Sequence, residues 1–190
     1  MKNKNSRARK IVFATLIVIA TFFITGCARM GIKEARQWKM LDFIEEKGEI
    51  TITDCKVQAE KIRIPAKYKE KKVTKIGERA FQHQRLLETI EMPNTIREIG
   101  EHAFVGCRAL KIITLQEGLA KIGNGAFCSS GLEEITTPKT LREIGNDAFS
   151  GCGALKKITL QEGLAKIGYR VFCHSGLEEI TTPKTLREIE

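Results

Sequence analysis

Apolar residues recur along this chain in fixed phase. Isoleucine followed by glycine stands at Ile76-Gly77, Ile99-Gly100, Ile122-Gly123, Ile144-Gly145 and Ile167-Gly168, and a phenylalanine follows each pair at Phe81, Phe104, Phe127, Phe149 and Phe172. Successive isoleucines are 23, 23, 22 and 23 residues apart. A period of that length predicts a solenoid in which each unit is one coil, stable only against its neighbours. Between the phenylalanines runs a second pattern, L-x-x-I-x-[L/M/T], at Leu87-Ile90-Met92, Leu110-Ile113-Leu115, Leu132-Ile135-Thr137, Leu155-Ile158-Leu160 and Leu177-Ile180-Thr182. Its last two positions alternate with a polar residue, which predicts a strand with one buried face. Strands one coil apart run parallel, so these five are expected to stack at about 4.8 Å per layer.

The segments around each Ile-Gly, such as LREIG and LAKIG, are expected on the return side of the coil, with glycine supplying torsions that other residues resist. The Ala-Phe pair that follows is expected to open a tight helical turn that drives the ring inward. The fold class so predicted is α/β: stacked coils with a parallel β-sheet and short helical or 3-10 turns on the other side. Residues 49–75 fit as a first, irregular coil. Ile62 and Ile64 stand in the places of Ile90 and Met92, and about five extra residues follow in AKYKEKK. That makes about six coils over 49–190. Upstream, Trp38, Met40, Leu41, Phe43 and Ile44 give a helix-like pattern expected to cap the first layer.

A longer period is superposed on the short one. Residues 115–145 and 160–190 agree at 26 of 31 positions, so a 45-residue unit holding two coil types has been duplicated. The sequence stops at TLREIE, short of a further Ile-Gly and Ala-Phe. The expectation is a solenoid incomplete at the C-terminus, with an edge through which chains could associate.

The first 26 residues follow a different pattern. Lys2, Lys4, Arg7, Arg9 and Lys10 precede an apolar run from Ile11 to Ile24 that ends in Ile24-Thr25-Gly26-Cys27. The run is short for a membrane span but suits a signal peptide. The four terminal residues resemble the lipobox of bacterial lipoproteins. That resemblance implies a diacylglyceryl group on the Cys27 sulfur, cleavage before Cys27 and acylation of the new amine, with 27–48 as lipidated N-terminus and cap. Multiple acyl chains hold a protein stably on a membrane. The expected location is therefore the cell membrane or outer membrane, outside the cytoplasm.

Removing that segment changes the charge balance. The formal charge of +9 falls to +4 for residues 27–190, with 27 basic and 23 acidic side chains, an ordinary surface. A basic stripe interleaved with aromatics is missing, which argues against nucleic acid as a partner. Cys107, Cys128, Cys152 and Cys173 follow the repeat. They are readable as buried thiols, as bridges between layers, or, least well for want of ligand spacing, as a metal site. The histidines His83, His102 and His174 fall on variable or turn positions without a nucleophile and base in a recognisable motif, so neither catalysis nor a cofactor is expected.

The pattern IGEHAFVGCRALKIITL, from Ile99 to Leu115, resembles the BspA-like leucine-rich repeats of bacterial surface antigens, and Ile144 to Leu160 follows it as closely. The resemblance covers about 49–190. It departs at Cys128 and Cys173, which directly follow the phenylalanine in shortened units. It implies a surface-exposed binding protein, attaching to host matrix proteins or other cells, and leaves the ligand open. The alternative is a structural component of the cell envelope that associates through its C-terminal edge. Charge alternates between layers at Glu88, Lys111, Glu133, Glu134, Lys156, Lys157, Glu178 and Glu179. This striped face is either a ladder of ion pairs or the binding surface. Lys111, Glu133, Glu134, Lys156, Lys157, Glu178 and Glu179 are its candidate residues.

Overall fold

The computed structural model describes residues 39–189. Residues 40–190 fall into one compact unit, and the fold below is that unit's. Cys27 and the signal-peptide and lipidation readings lie outside the described residues, as does Trp38.

Two hairpins open the unit. Strands β1 (Leu41–Glu46) and β2 (Glu49–Cys55) pair antiparallel around Lys47 and Gly48, both at positive φ, as a tight two-residue turn requires. The expected helix-like cap is thus a strand over 41–46; its apolar residues are too few and too irregularly spaced to commit it to a helical stripe. After β3 (Lys61–Arg63), the extra residues form a second hairpin from β4 (Lys67–Tyr68) and β5 (Lys71–Ile76).

From β5 onward each coil contributes two short strands. One set is β7 (Glu98–Ile99), β9 (Lys121–Ile122), β11 (Glu143–Ile144), β13 (Lys166–Ile167) and β15 (Glu188–Ile189). These join β1, β2, β4 and β5 in a nine-stranded sheet, parallel throughout from β2 to β15. The Ile-Gly segments, expected as the return side, therefore form the longest sheet. The other set is the predicted L-x-x-I-x-[L/M/T] strands: β6 (Thr89–Glu91), β8 (Ile112–Ile113), β10 (Glu134–Thr136), β12 (Lys157–Thr159) and β14 (Glu179–Thr181). They stack parallel in the expected register, but in two sheets, β3-β6-β8 and β10-β12-β14. Ile62 pairs with Ile90, as the sequence comparison of the first coil required.

The third side of the coil is the Gly-x-x-Ala-Phe segment, and it contains turns with no helix among the described residues. The backbone hydrogen bonds explain the correction. In the coil at 100–107, the N–H groups of Ala103, Val105 and Cys107 donate within the turn to the carbonyls of Gly100, His102 and Phe104. Those of His102, Phe104 and Gly106 donate to the next coil, at Asn124, Ala126 and Cys128. Every second donor is thus spent between layers, whereas a helix needs all of them within its own segment. Left-handed residues at His102 (φ 51°) and Gly106 (φ 70°) interrupt any helical run.

The interior is a stack of identical layers. Phe81, Phe104, Phe127 and Phe149 are fully buried, and their rings lie 5.1–5.3 Å apart and within 6° of parallel. Phe172 extends the column at 6.0 Å and is half-buried. Columns of Leu87/Leu110/Leu132/Leu155 and Ile76/Ile99/Ile122/Ile144 flank it, all buried. The glycines after each isoleucine do not take positive φ. Their role is close approach: a Cβ on Gly100 or Gly123 would sit 2.8 Å from the carbonyl carbon of the matching glycine one coil earlier.

Candidate functional site

The predicted striped face is assembled from β10, β12, β14 and the residue before each. Register places Glu134, Lys157 and Glu179 in one row. Beside it, Lys111 reaches Glu133 at 3.3 Å and Lys156 reaches Glu178 at 2.6 Å. Lys157 reaches Glu179 at 2.9 Å, and that carboxylate holds the Lys157 ammonium above its ordinary range. The seven candidates are brought together on one exposed surface, and six of them are joined in three cross-strand ion pairs. Glu88, one residue before β6, stands one layer from Lys111 by the register of β6 with β8 and so extends the column of Lys111, Glu133, Lys156 and Glu178. In the neighbouring on-strand row, Lys61, Thr89 and Ile112, the exposed Ile112 interrupts the charge pattern where the two short sheets meet.

Exposed pairs of this kind add little to stability. Replacing Lys156 and Lys157 by glutamine, which removes the pairs without adding like charges, is therefore expected to leave the melting temperature of the unit nearly unchanged, as thermal unfolding followed by circular dichroism would show.

A second charge ladder went unread in the sequence. On the long sheet Lys75, Glu98, Lys121, Glu143, Lys166 and Glu188 succeed one another in register. Ion pairs link Lys75 to Glu98 at 2.9 Å, Lys121 to Glu143 at 3.3 Å and Lys166 to Glu188 at 3.1 Å. The signal was present as the residue before each isoleucine, alternately lysine and glutamate.

The cysteines divide by position. All five that are described are free, and Cys55, Cys107 and Cys152 are buried. The Cys107 thiol donates to the Phe81 carbonyl at 3.0 Å, and that of Cys152 to the Phe127 carbonyl at 3.1 Å. Burial pushes the Cys107 thiol up to about 12 and raises Cys152 in the same direction. Cys128 and Cys173, at the shortened units, are partly exposed. Iodoacetamide at mildly alkaline pH is expected to modify Cys128 and Cys173 while sparing Cys107 and Cys152 until the unit unfolds, since the thiolate is the reacting species. The raised thiol also fixes a sign. Between about 9 and 12 the folded state holds a proton that the unfolded chain releases, so stability falls as pH rises through that window.

His83, His102 and His174 occupy left-handed turn positions at φ 51–55°, a conformation in which histidine is enriched. Among the described residues, no cluster of three or more His, Cys, Asp or Glu side chains is arranged to hold a metal ion.

Comparison with known proteins places these features in context. Residues 74–190 match the model of the BspA type leucine rich repeat region, in six copies. Among solved structures, the leucine-rich repeat protein TpLRR of T. pallidum is 27% identical with a TM-score of 0.73, over 80% of this chain and 79% of that one. A leucine rich cell surface protein of Faecalibacterium prausnitzii is also 27% identical, with a TM-score of 0.59 over 79% of this chain and 48% of that one. The pneumococcal vaccine antigen PcpA shares the fold at 21% identity and a TM-score of 0.56, this chain spanning 49% of its length. A comparison with curated proteins finds no match.

Proposed function

The chain belongs to the family of BspA type leucine rich repeat proteins, and from that premise we propose that it is a lipid-anchored surface protein that binds protein partners, a scaffold for adhesion and not an enzyme. The observation that carries the binding reading is the exposed face of β10, β12 and β14. Its acidic, basic and acidic rows, from Glu133-Glu134 through Lys156-Lys157 to Glu178-Glu179, are held on rigid strands. A preorganised face loses little entropy on binding. Its charge order also selects a partner with the complementary one. Two layers make one period of about 10 Å, which suits a repetitive ligand engaged at several weak sites. The similarity to a leucine rich cell surface protein supports the location.

Anchoring rests on Cys27 and its flanks in the sequence. In an exporting bacterium fed a clickable fatty acid, the full chain is expected to carry label and to fractionate with membranes, and Cys27→Ala to do neither. Unlabelled wild-type protein would overturn the anchor.

One observation favours a second reading, association through the last described coil. An apolar hollow of about 250 Å³ there is lined by Ile167, Val171, Phe172, Ile180 and Leu186. Assembly through it predicts concentration-dependent self-association in sedimentation, abolished by Ile180→Lys.

A further inference from the structure

The insertion in the first coil has no part in the repeat. Strands β4 and β5 there form a hairpin in which Lys67 lies directly opposite Lys72 and Tyr68 opposite Lys71. Like charges across a rung destabilise a hairpin. Its turn residues Lys69 and Glu70 both sit at positive φ (48° and 62°), where glycine or asparagine is favoured. The element is thus poorly arranged for its own stability, and strain and repulsion of this kind are found where another function is served.

The charge around it is concentrated. Residues 61–75 hold seven basic side chains and one acid, while the rest of 27–190 holds twenty basic and twenty-two acidic. The whole positive excess of that part of the chain therefore lies in fifteen residues. Several of these cations are already matched: Lys61 and Arg63 by Glu91, Lys71 by Glu45, and Lys75 by Glu98. Of the nearby acids, Asp42 is paired with Lys56, and Glu49 accepts from the Thr74 hydroxyl. Outside these pairs stand the exposed Lys69 and Lys72, together with Lys67, whose ion pair is a loose contact of 3.8 Å with an almost fully exposed Glu70. Lys69 stands 5.3 Å above the Tyr68 ring, which stacks on Phe43 of β1 at 4.2 Å.

We propose that this hairpin docks the first coil onto an anionic phospholipid surface, with Lys67, Lys69 and Lys72 against the headgroup phosphates and Tyr68 at the interface. Lysine stems with their heads in the phosphate layer, beside an aromatic ring, fit such a boundary. A basic patch is also the usual complement to a lipid anchor. The first coil is the part of the solenoid nearest Cys27 along the chain. The inference rests on the anchoring reading for the identity of the surface; the assay below needs no acylation, so the two fail separately.

The test uses residues 40–190, which form a compact unit with its own contiguous core, checked for folding by circular dichroism. Flotation is measured with vesicles of equimolar phosphatidylglycerol and phosphatidylcholine and with phosphatidylcholine alone. Binding is expected only to the anionic vesicles, falling with added salt. Each lysine near an anionic leaflet tightens binding about fivefold, so the triple variant Lys67→Glu, Lys69→Glu, Lys72→Glu, which removes three and adds repulsion, should bind at least about a hundredfold more weakly. A control of equal charge change, Arg108→Glu, Lys139→Glu, Lys184→Glu, should bind nearly as the parent does. Absence of binding to anionic vesicles, or equal losses in both triples, would overturn the proposal. So would displacement by inorganic phosphate beyond that by chloride of equal ionic strength, which would make the site one for a soluble anion.

Discussion

Gly123→Ala is expected to cost about 3 kcal/mol or more of folding stability, the upper part of the range for adding a methyl group to a closed interior. The new Cβ would lie 2.8 Å from both the Glu101 nitrogen and the Gly100 carbonyl carbon. Both are backbone atoms of the preceding coil, so no side-chain rotation relieves the clash. Relief requires the coils to separate, and that breaks the bond from the Gly123 N–H to the Ile99 carbonyl at 2.8 Å and its neighbours. Gly153→Ala is the control. That glycine has open space around its would-be Cβ and no positive φ, so alanine there should be neutral or slightly stabilising. Urea unfolding of the two variants side by side measures the difference directly. Equal midpoints would show that the isoleucine-glycine column is not closely stacked.

The second large effect is expected in the ring column. Phe127→Ala removes a fully buried ring that stacks on both sides, at 5.3 Å to Phe104 and 5.3 Å to Phe149. The loss is expected to be about 3–5 kcal/mol, because the rigid layers above and below cannot collapse into the space. Phe172→Ala should cost distinctly less. Its ring is half-buried and contacts one neighbour in the column, Phe149, at 6.0 Å. A unit that unfolds at the same urea concentration in both variants would contradict the layered account, since position within the column would then carry no weight.

Much of this fold was legible because stacking makes sequence period and spatial register the same quantity. A coil that pairs with the next must repeat its buried side chains in phase, and so Ile90, Ile113, Ile135 and Ile158 could be assigned to strands before any geometry was known. What misled was strand length. Two-residue strands such as Glu143–Ile144 are too short to show alternation, so the Ile-Gly segments read as a return side although they build the longest sheet. A sequence marks a glycine but does not separate a need for positive φ from a need for close approach, and here the latter holds. The helical turn failed for a similar reason, because the competition for N–H groups comes from the neighbouring coil, 22 or 23 residues away.

The candidate face was legible as a set of residues, and its pairing less so. Consecutive exposed residues such as Glu133 and Glu134 belong to different columns, one before the strand and one on it, and only the register separates them. The long-sheet ladder is hard to read in the sequence because its strands beyond β5 are two residues long and show one charged position each. The hairpin at 67–72 appeared as an insertion in the count, but the opposition of Lys67 and Lys72 needed the turn to be located.

The striped face can serve as a structural ladder, as a binding surface, or as both, and one variant separates these roles. Inverting all seven candidates together (Lys111→Glu, Glu133→Lys, Glu134→Lys, Lys156→Glu, Lys157→Glu, Glu178→Lys, Glu179→Lys) keeps every cross-strand pair while reversing the pattern shown to a partner. The measurement is binding of parent and inverted units to immobilised cell-surface and matrix proteins, with urea midpoints recorded alongside. The prediction is saturable binding by the parent, lost in the inverted unit at an unchanged midpoint. Failure of the folded parent to bind, or binding that survives inversion, would contradict the claim and leave the face a structural ladder alone.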